Sequence, residues 1–123
     1  MIQKDQPRQE IRSRLEAARA YVSAFTGLHS DEDPAQEVLA ACDEVMVIAG
    51  SSARLHELRR VVEARCRRLT EVTNRFSARD PVVIAAARVQ VIVAIDQIQD
   101  AALERLEAAV PQNMHSLLRR RSL

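Results

Sequence analysis

Glycine and aromatic residues are scarce in this 123-residue chain, which has two glycines, two phenylalanines, one tyrosine and no tryptophan. All-β domains need many turns and favour aromatic and β-branched residues, so this shortage argues against a sheet. The apolar fraction of 47% and the charged fraction of 28% are those of a folded globular protein rather than a disordered chain. The composition therefore favours a single all-α domain over residues 1–123.

Lysine is nearly absent as well, because Lys4 is the only one and arginine supplies the rest of the basic charge. We take this bias as a sign of a GC-rich bacterial or phage genome. The net charge of +1 gives no general attraction to nucleic acid or to membranes. The polar first ten residues predict no signal peptide, and Cys42 and Cys66 are too far apart for a paired metal motif. We therefore expect a cytoplasmic protein with reduced cysteines in its core.

Helix-start and helix-stop residues divide the chain into four predicted helices. Two Asp-Pro pairs and a serine pair mark starts, and the two glycines mark stops: Asp33-Pro34, Asp80-Pro81, Ser51-Ser52, Gly27 and Gly50. Pro111 is expected to break the fourth helix. The helices are predicted over about 6–26, 34–49, 52–77 and 81–110, with a short C-terminal helix or tail over 111–123. This pattern is typical of an antiparallel four-helix bundle.

Two of the predicted helices carry regular apolar stripes that should form the core. Their members recur at intervals of three and four residues, the spacing of one helix face. In helix 1 they are Ile11, Leu15, Ala18, Val22 and Phe25, and in helix 3 they are Leu55, Leu58, Val62, Cys66, Leu69, Thr73 and Phe76.

The segment VVIAAARVQVIVAI, residues 82–95, is apolar on every side of a helix and carries one charge, Arg88. Its valines could also alternate as a strand, but strong helix formers flank it without a turn signal, so a helix is favoured. It is too short and too charged for a membrane span. Either the other helices and the tail wrap it, or a second copy or another partner covers it.

We expect self-association through the outer face of this segment. Depending on the rotation of the helix, that face holds Val89, Ile92 or Val93. Arg88 would then need a partner, which an acidic residue of a second copy could supply. The alternative is a tail that folds back and covers the segment with Met114, Leu117 and Leu118.

Charge is segregated along the chain. Residues 31–50 carry six acidic and no basic side chains, whereas residues 51–79 carry eight arginines and three glutamates. The arginines allow two interpretations, namely pairing inside the bundle or contact with an anion such as nucleic acid. Pairing would place Arg65, Arg67 and Arg68 of helix 3 opposite Asp33 and Glu37 of helix 2. The candidates for anion or nucleic-acid contact are Arg65, Arg68, Arg75, Arg79, Arg119, Arg120 and Arg121, of which Arg75 and Arg79 should be the least compensated.

The sequence offers no catalytic, cofactor or metal signature. The histidines lack the helical spacing of zinc or di-iron ligands, and His56 is expected to be an exposed helix residue without a special role. Asp96, Asp100, Glu104 and Glu107 form an acidic stripe, which is typical of a solvated helix face. We therefore expect no enzyme and no cofactor.

The expected function is that of a small helical interaction or regulatory protein that acts through protein–protein contacts. Antitoxins, secretion chaperones, anti-activators and phage-encoded inhibitors are proteins of this kind. The partners expected are a second copy and a protein of unknown identity, without a membrane. The alternative is a bundle that associates with nucleic acid through helix 3 and the arginine-rich tail.

Overall fold

A computed structural model describes residues 5–28, 32–74 and 79–122, with side chains described as far as residue 108. It contains four α-helices: α1 (Asp5–Ala24), α2 (Pro34–Ala49), α3 (Ala53–Val72) and α4 (Pro81–Ser122). Each helix packs against the next along the chain, and α4 also packs against α1 and, across the centre, α2. The predicted all-α antiparallel four-helix bundle is confirmed.

The helix starts follow the sequence signals closely. The Asp33 carboxylate accepts hydrogen bonds from the backbone N–H groups of Ala35 and Gln36, which are unpaired donors in the first turn of α2. Ser52 Oγ accepts from Leu55 N at 3.1 Å, and Asp80 Oδ1 accepts from Val82 N at 2.9 Å. Side-chain capping therefore fixes where α2, α3 and α4 begin.

Two helix ends differ from the predicted ones. The described part of α3 ends at Val72, because Asn74 N donates to the carbonyl of Glu71, three residues back, while the hydroxyl of Thr73 donates to the carbonyl of Thr70 that an α-helix would offer to Asn74. Asn74 continues in a non-helical conformation. The expected break at Pro111 is not observed, since α4 runs through it to Ser122. An interior proline removes one backbone hydrogen bond and can kink a helix without ending it, and Ala108, Ala109 and Gln112 beside Pro111 favour the helical conformation.

The predicted core stripes are buried as expected. All five stripe residues of predicted helix 1 lie in the core, including Phe25 just beyond the end of α1. The stripe of predicted helix 3 is buried as far as Thr73, which follows the end of α3, whereas Phe76 lies outside the described residues. From α2 and α4 the core receives Val38, Val45, Val91, Ile95 and Ile98. Val91 and Ile95 lie on one side of α4 only, so the packing uses a single face of the all-apolar segment.

Both cysteines are free and buried. Burial raises the pKa of the Cys42 thiol and of the Cys66 thiol to about 12, because the thiolate would lose its hydration. Only the thiolate is a good nucleophile, so the native thiols should be inert at pH 8.

We therefore expect no reaction of the native protein with a disulfide reagent such as DTNB, and two equivalents after unfolding in guanidinium. The exposed control Val47→Cys should add one thiol that reacts immediately. Reaction of the native wild type at the rate of that control would contradict the burial of Cys42 and Cys66.

Candidate functional site

A row of exposed valines runs along the outer side of α4, with a further valine beside it on α3. Val82, Val89 and Val93 are 76%, 58% and 49% exposed, and Val61 of α3 lines the same groove as Val89 and Val93. Ala86 is exposed within the row. These five residues are called the valine face below. Apolar strips of this length are uncommon on monomers and often mark contact sites.

Helical geometry explains why this face is exposed. Intervals of four, three and four residues align Val82, Ala86, Val89 and Val93 along one line of α4. The fully buried Val91 lies on the opposite side. A helix at the edge of a four-helix bundle buries one face only, so an all-apolar segment leaves apolar side chains in water.

The structure separates the three residues that the sequence offered for self-association. Val89 and Val93 lie on the valine face, whereas Ile92 is half-buried and packs against the core. Sequence reasoning missed Val82 and Val61. Val82 could have been found by extending the row of Val89 and Val93 back towards the start of the helix, and Val61 by its place outside the α3 stripe.

A shallow groove of about 150 Å³ lies between α3 and α4 at the valine face. The polar side chains of Arg65 and Gln90 line part of it, and Arg65 Nη1 donates to Gln90 Oε1 at 3.5 Å across the two helices. Apolar residues bordered by polar ones are typical of protein interfaces. The groove is too small for a drug-sized ligand, for which sites of about 300–1,000 Å³ are usual.

Arg88 finds its partner within the chain. Its Nε and Nη2 atoms donate to the carbonyl oxygen of Phe25 at 3.0 and 2.6 Å, just beyond the end of α1. The carbonyl groups at a helix end lack partners inside the helix, so an arginine satisfies them well. Arg88 therefore has the partner that it was expected to need, and the partner is a backbone carbonyl of its own chain rather than an acidic residue of a second copy.

Arg79 is likewise engaged. Its Nη1 donates to the carbonyl of Thr73 at 2.6 Å and its Nη2 to the carbonyl of Thr26 at 2.8 Å. It thereby links the end of α3 to the loop after α1. The expectation that Arg79 is one of the least compensated arginines does not hold, and Arg75 lies outside the described residues.

The arginines of α3 do not pair with Asp33 and Glu37 as the hairpin register suggested. Asp33 serves as the cap of α2, and Arg65 points toward α4. The observed ion pairs join Arg59 to Asp43 of α2 at 2.7 Å, Arg67 to Glu63 at 3.3 Å and Arg68 to Glu71 at 3.8 Å. Two of these pairs lie within α3 and leave its outer face basic.

The C-terminal part of α4 continues away from the valine face. The side chains of Arg119, Arg120 and Arg121 lie outside the described residues, as do those of Met114, Leu117 and Leu118. The backbone remains helical to Ser122, and a rise of 1.5 Å per residue places Met114 about 30 Å along the axis from Val93. The tail therefore does not fold back over the valine face.

The acidic stripe of α4 makes contacts inside the bundle. Asp96 Oδ1 accepts from Arg19 Nε at 2.8 Å, and Glu107 lies 3.6 Å from Arg8. These contacts attach α1 to α4, so this part of the stripe has a structural role.

A cleft of about 700 Å³ lies where the turn between α2 and α3 meets α4. Arg54, Asp100, Glu104 and Arg105 line it, and Arg105 Nε donates to the carbonyl of Ala49 at 3.2 Å. Two basic and two acidic side chains balance each other there. The cleft therefore presents no net charge that would select an ionic ligand.

Among the described side chains, no group of three or more histidine, cysteine, aspartate or glutamate residues comes together to hold a metal ion. His56 is exposed on α3. His29 and the side chain of His115 lie outside the described residues.

Residues Pro81–Ala108 of α4 are long and apolar enough to cross a membrane, and their most apolar 18-residue window has a mean hydropathy of 1.6. Length and composition alone are weak evidence, because the core helix of a bundle has the same properties. Here 33% of the most apolar window is buried within the structure. The remaining apolar surface of this stretch includes the valines of α4.

Comparisons with protein-family models, with curated proteins and with solved structures find no match to this chain.

Proposed function

We propose that this chain is a non-enzymatic interaction protein of the cytoplasm that acts as a homodimer through the valine face. The observation that supports the proposal is the exposure of Val82, Val89 and Val93 in one line on α4, where no described segment of the chain covers them. A regulatory role of the kind played by antitoxins, secretion chaperones, anti-activators or phage-encoded inhibitors fits a small bundle that presents a contact surface.

A second copy is the occupant that best suits this face. In an isologous dimer the same patch of each copy forms the interface, so the apolar strip of one copy packs against the apolar strip of the other. No second apolar surface is needed elsewhere on the molecule. A membrane suits it less well, because Asp100, Glu104 and other acidic residues continue the outer line of α4 beyond Val93. Anionic lipid head groups would repel those carboxylates.

The substitution Val93→Glu tests the proposal. A carboxylate buried against apolar side chains loses hydration, so we expect the dissociation constant of the dimer to rise at least about tenfold. Sedimentation equilibrium over micromolar concentrations measures it. The matched control is Val47→Glu, which places the same charge on the outer face of α2, where Val47 is 85% exposed.

The control should dimerise like the wild type, and both variants should keep the circular dichroism spectrum of the bundle. A wild type that is monomeric at micromolar concentration would disprove the homodimer. So would a Val93→Glu variant that dimerises as tightly as the control. Co-sedimentation of the wild type with anionic vesicles, lost in Val93→Glu, would assign the face to a membrane instead.

Nucleic-acid binding through α3 is the second candidate function. Arg54, Arg60 and Arg65 are exposed, and no ion pair of the three with a described acidic residue is within 4.0 Å. Affinity for a generic duplex, measured against salt, tests this candidate. A steep loss of binding between low and moderate salt, reduced by Arg54→Gln and Arg60→Gln, would support it. Binding weaker than micromolar at low salt would exclude it.

A further inference from the structure

The two ends of the valine face on α4 adjoin different residues, and this difference limits how two copies can pack against each other. Its α4 residues extend from Val82 to Val93, about 17 Å of helix at 1.5 Å per residue. Beyond Val93 the outer line turns acidic with Asp100 and Glu104, whereas before Val82 lie Pro81, Asp80 and the basic Arg79. The strip thus has one end next to the carboxylates of α4 and one end at a helix N-terminus.

We infer that the two copies pack α4 against α4 in antiparallel orientation, about a two-fold axis that passes between residues 87 and 88. The inference rests on the proposed homodimer and adds its geometry. With the axis at the middle of the strip, Val82 of one copy lies beside Val93 of the other, and Ala86 lies beside Val89. Every α4 residue of the valine face is then covered by an apolar residue.

Charge favours this orientation over a parallel one. Two parallel helices would place Asp100 and Glu104 beside their own copies, and like charges at short distance repel. The antiparallel arrangement moves the acidic half of each α4 to the N-terminal end of its partner. Helix N-termini carry a partial positive charge, and the charges of Arg79 and Asp80 near that end balance each other, so the acidic half of the partner meets no net negative charge there.

The side chains in the middle of the strip allow the helices to approach closely. Ala85 and Ala86 are exposed there and add little bulk between Val82 and Val89. Helices with small residues at their contact reach the lower end of the usual axial separation of about 8–10 Å. The contact covers only about three turns of each α4, so a dimer of moderate, micromolar affinity is expected.

Cross-linking of single cysteine variants with a short bis-maleimide tests the geometry. The native cysteines are buried, and Val82, Val93 and Val47 are exposed, so Val82→Cys, Val93→Cys and Val47→Cys should each add one accessible thiol and leave the core intact. An equimolar mixture of the first two variants, one of them carrying a mass tag, should yield a covalent heterodimer.

Each variant alone should yield at least about tenfold less covalent dimer than the mixture, because residue 82 and its own copy would be about 17 Å apart. Val47→Cys reports random collisions and should give the same low yield. Self-linking of Val82→Cys and Val93→Cys would indicate parallel helices and overturn the inference. So would the absence of any linked species in a protein that sediments as a dimer. A wild type that is monomeric would instead disprove the proposed homodimer.

Discussion

Replacing Leu69 with alanine is expected to lower the free energy of unfolding by about 2–5 kcal/mol. Leu69 is fully buried in the last turn of α3 and belongs to the continuous core. Truncation removes apolar contacts and leaves a cavity that the surrounding helices fill only in part. Because domains of this size have about 5–15 kcal/mol of stability in total, the loss is a large share of it. Urea unfolding followed by far-ultraviolet circular dichroism measures the change.

The matched control is Val47→Ala on the outer face of α2. Val47 is exposed and contributes little to the core, and alanine is the better helix former. The free energy of unfolding should therefore change by less than about 0.5 kcal/mol. If Leu69→Ala lost less than about 1 kcal/mol, Leu69 would not belong to the core of the folded protein.

Replacing Gly27 with alanine is expected to lower the free energy of unfolding by about 2–4 kcal/mol. Gly27 has φ of 73°, a left-handed conformation that costs a residue with a Cβ atom about 1–2 kcal/mol. The new methyl group would also lie 2.6 Å from Thr73 Cβ and 2.9 Å from the Thr73 carbonyl oxygen. Overpacking of this kind typically costs about 1–3 kcal/mol more.

Thr73 has little freedom to move away from such a methyl group. It is buried, its hydroxyl donates to the Leu69 carbonyl at 2.7 Å, and its own carbonyl accepts from Arg79. The control is Leu28→Ala, the next residue of the same loop, which is exposed and should change the free energy of unfolding by less than about 0.5 kcal/mol. Equal stability of the two variants would show that Gly27 and Thr73 are not in close approach.

These two positions differ in what the sequence reveals about them. Leu69 is identified as a core residue by periodicity, because it recurs with Leu55, Leu58 and Val62 on one helix face. Gly27 is recognisable from the sequence only as a helix stop. Its contact with Thr73 joins residues 46 positions apart, and no local pattern encodes such a contact.

The arginines likewise show that local sequence patterns do not encode contacts between distant residues. Glu63 and Arg67 are four residues apart, a spacing that favours an ion pair within one helix, and the structure contains this pair. The partners of Arg79 and Arg88 are backbone carbonyls near the ends of other helices, and every residue type has a carbonyl group. The sequence therefore could not distinguish an arginine that caps a helix from one that is free for an anion.

The sequence by itself determined the helix starts, the core faces and the all-α class, because capping and amphipathic periodicity act over a few neighbouring residues. It also identified segment 82–95 as apolar on every side of a helix, whereas a helix of a four-helix bundle buries one face only. Only the tertiary structure decided which side of that segment remains in water. The rotation of α4 is set by packing against α1, α2 and α3, and this packing buries Val91 and leaves Val89 and Val93 exposed.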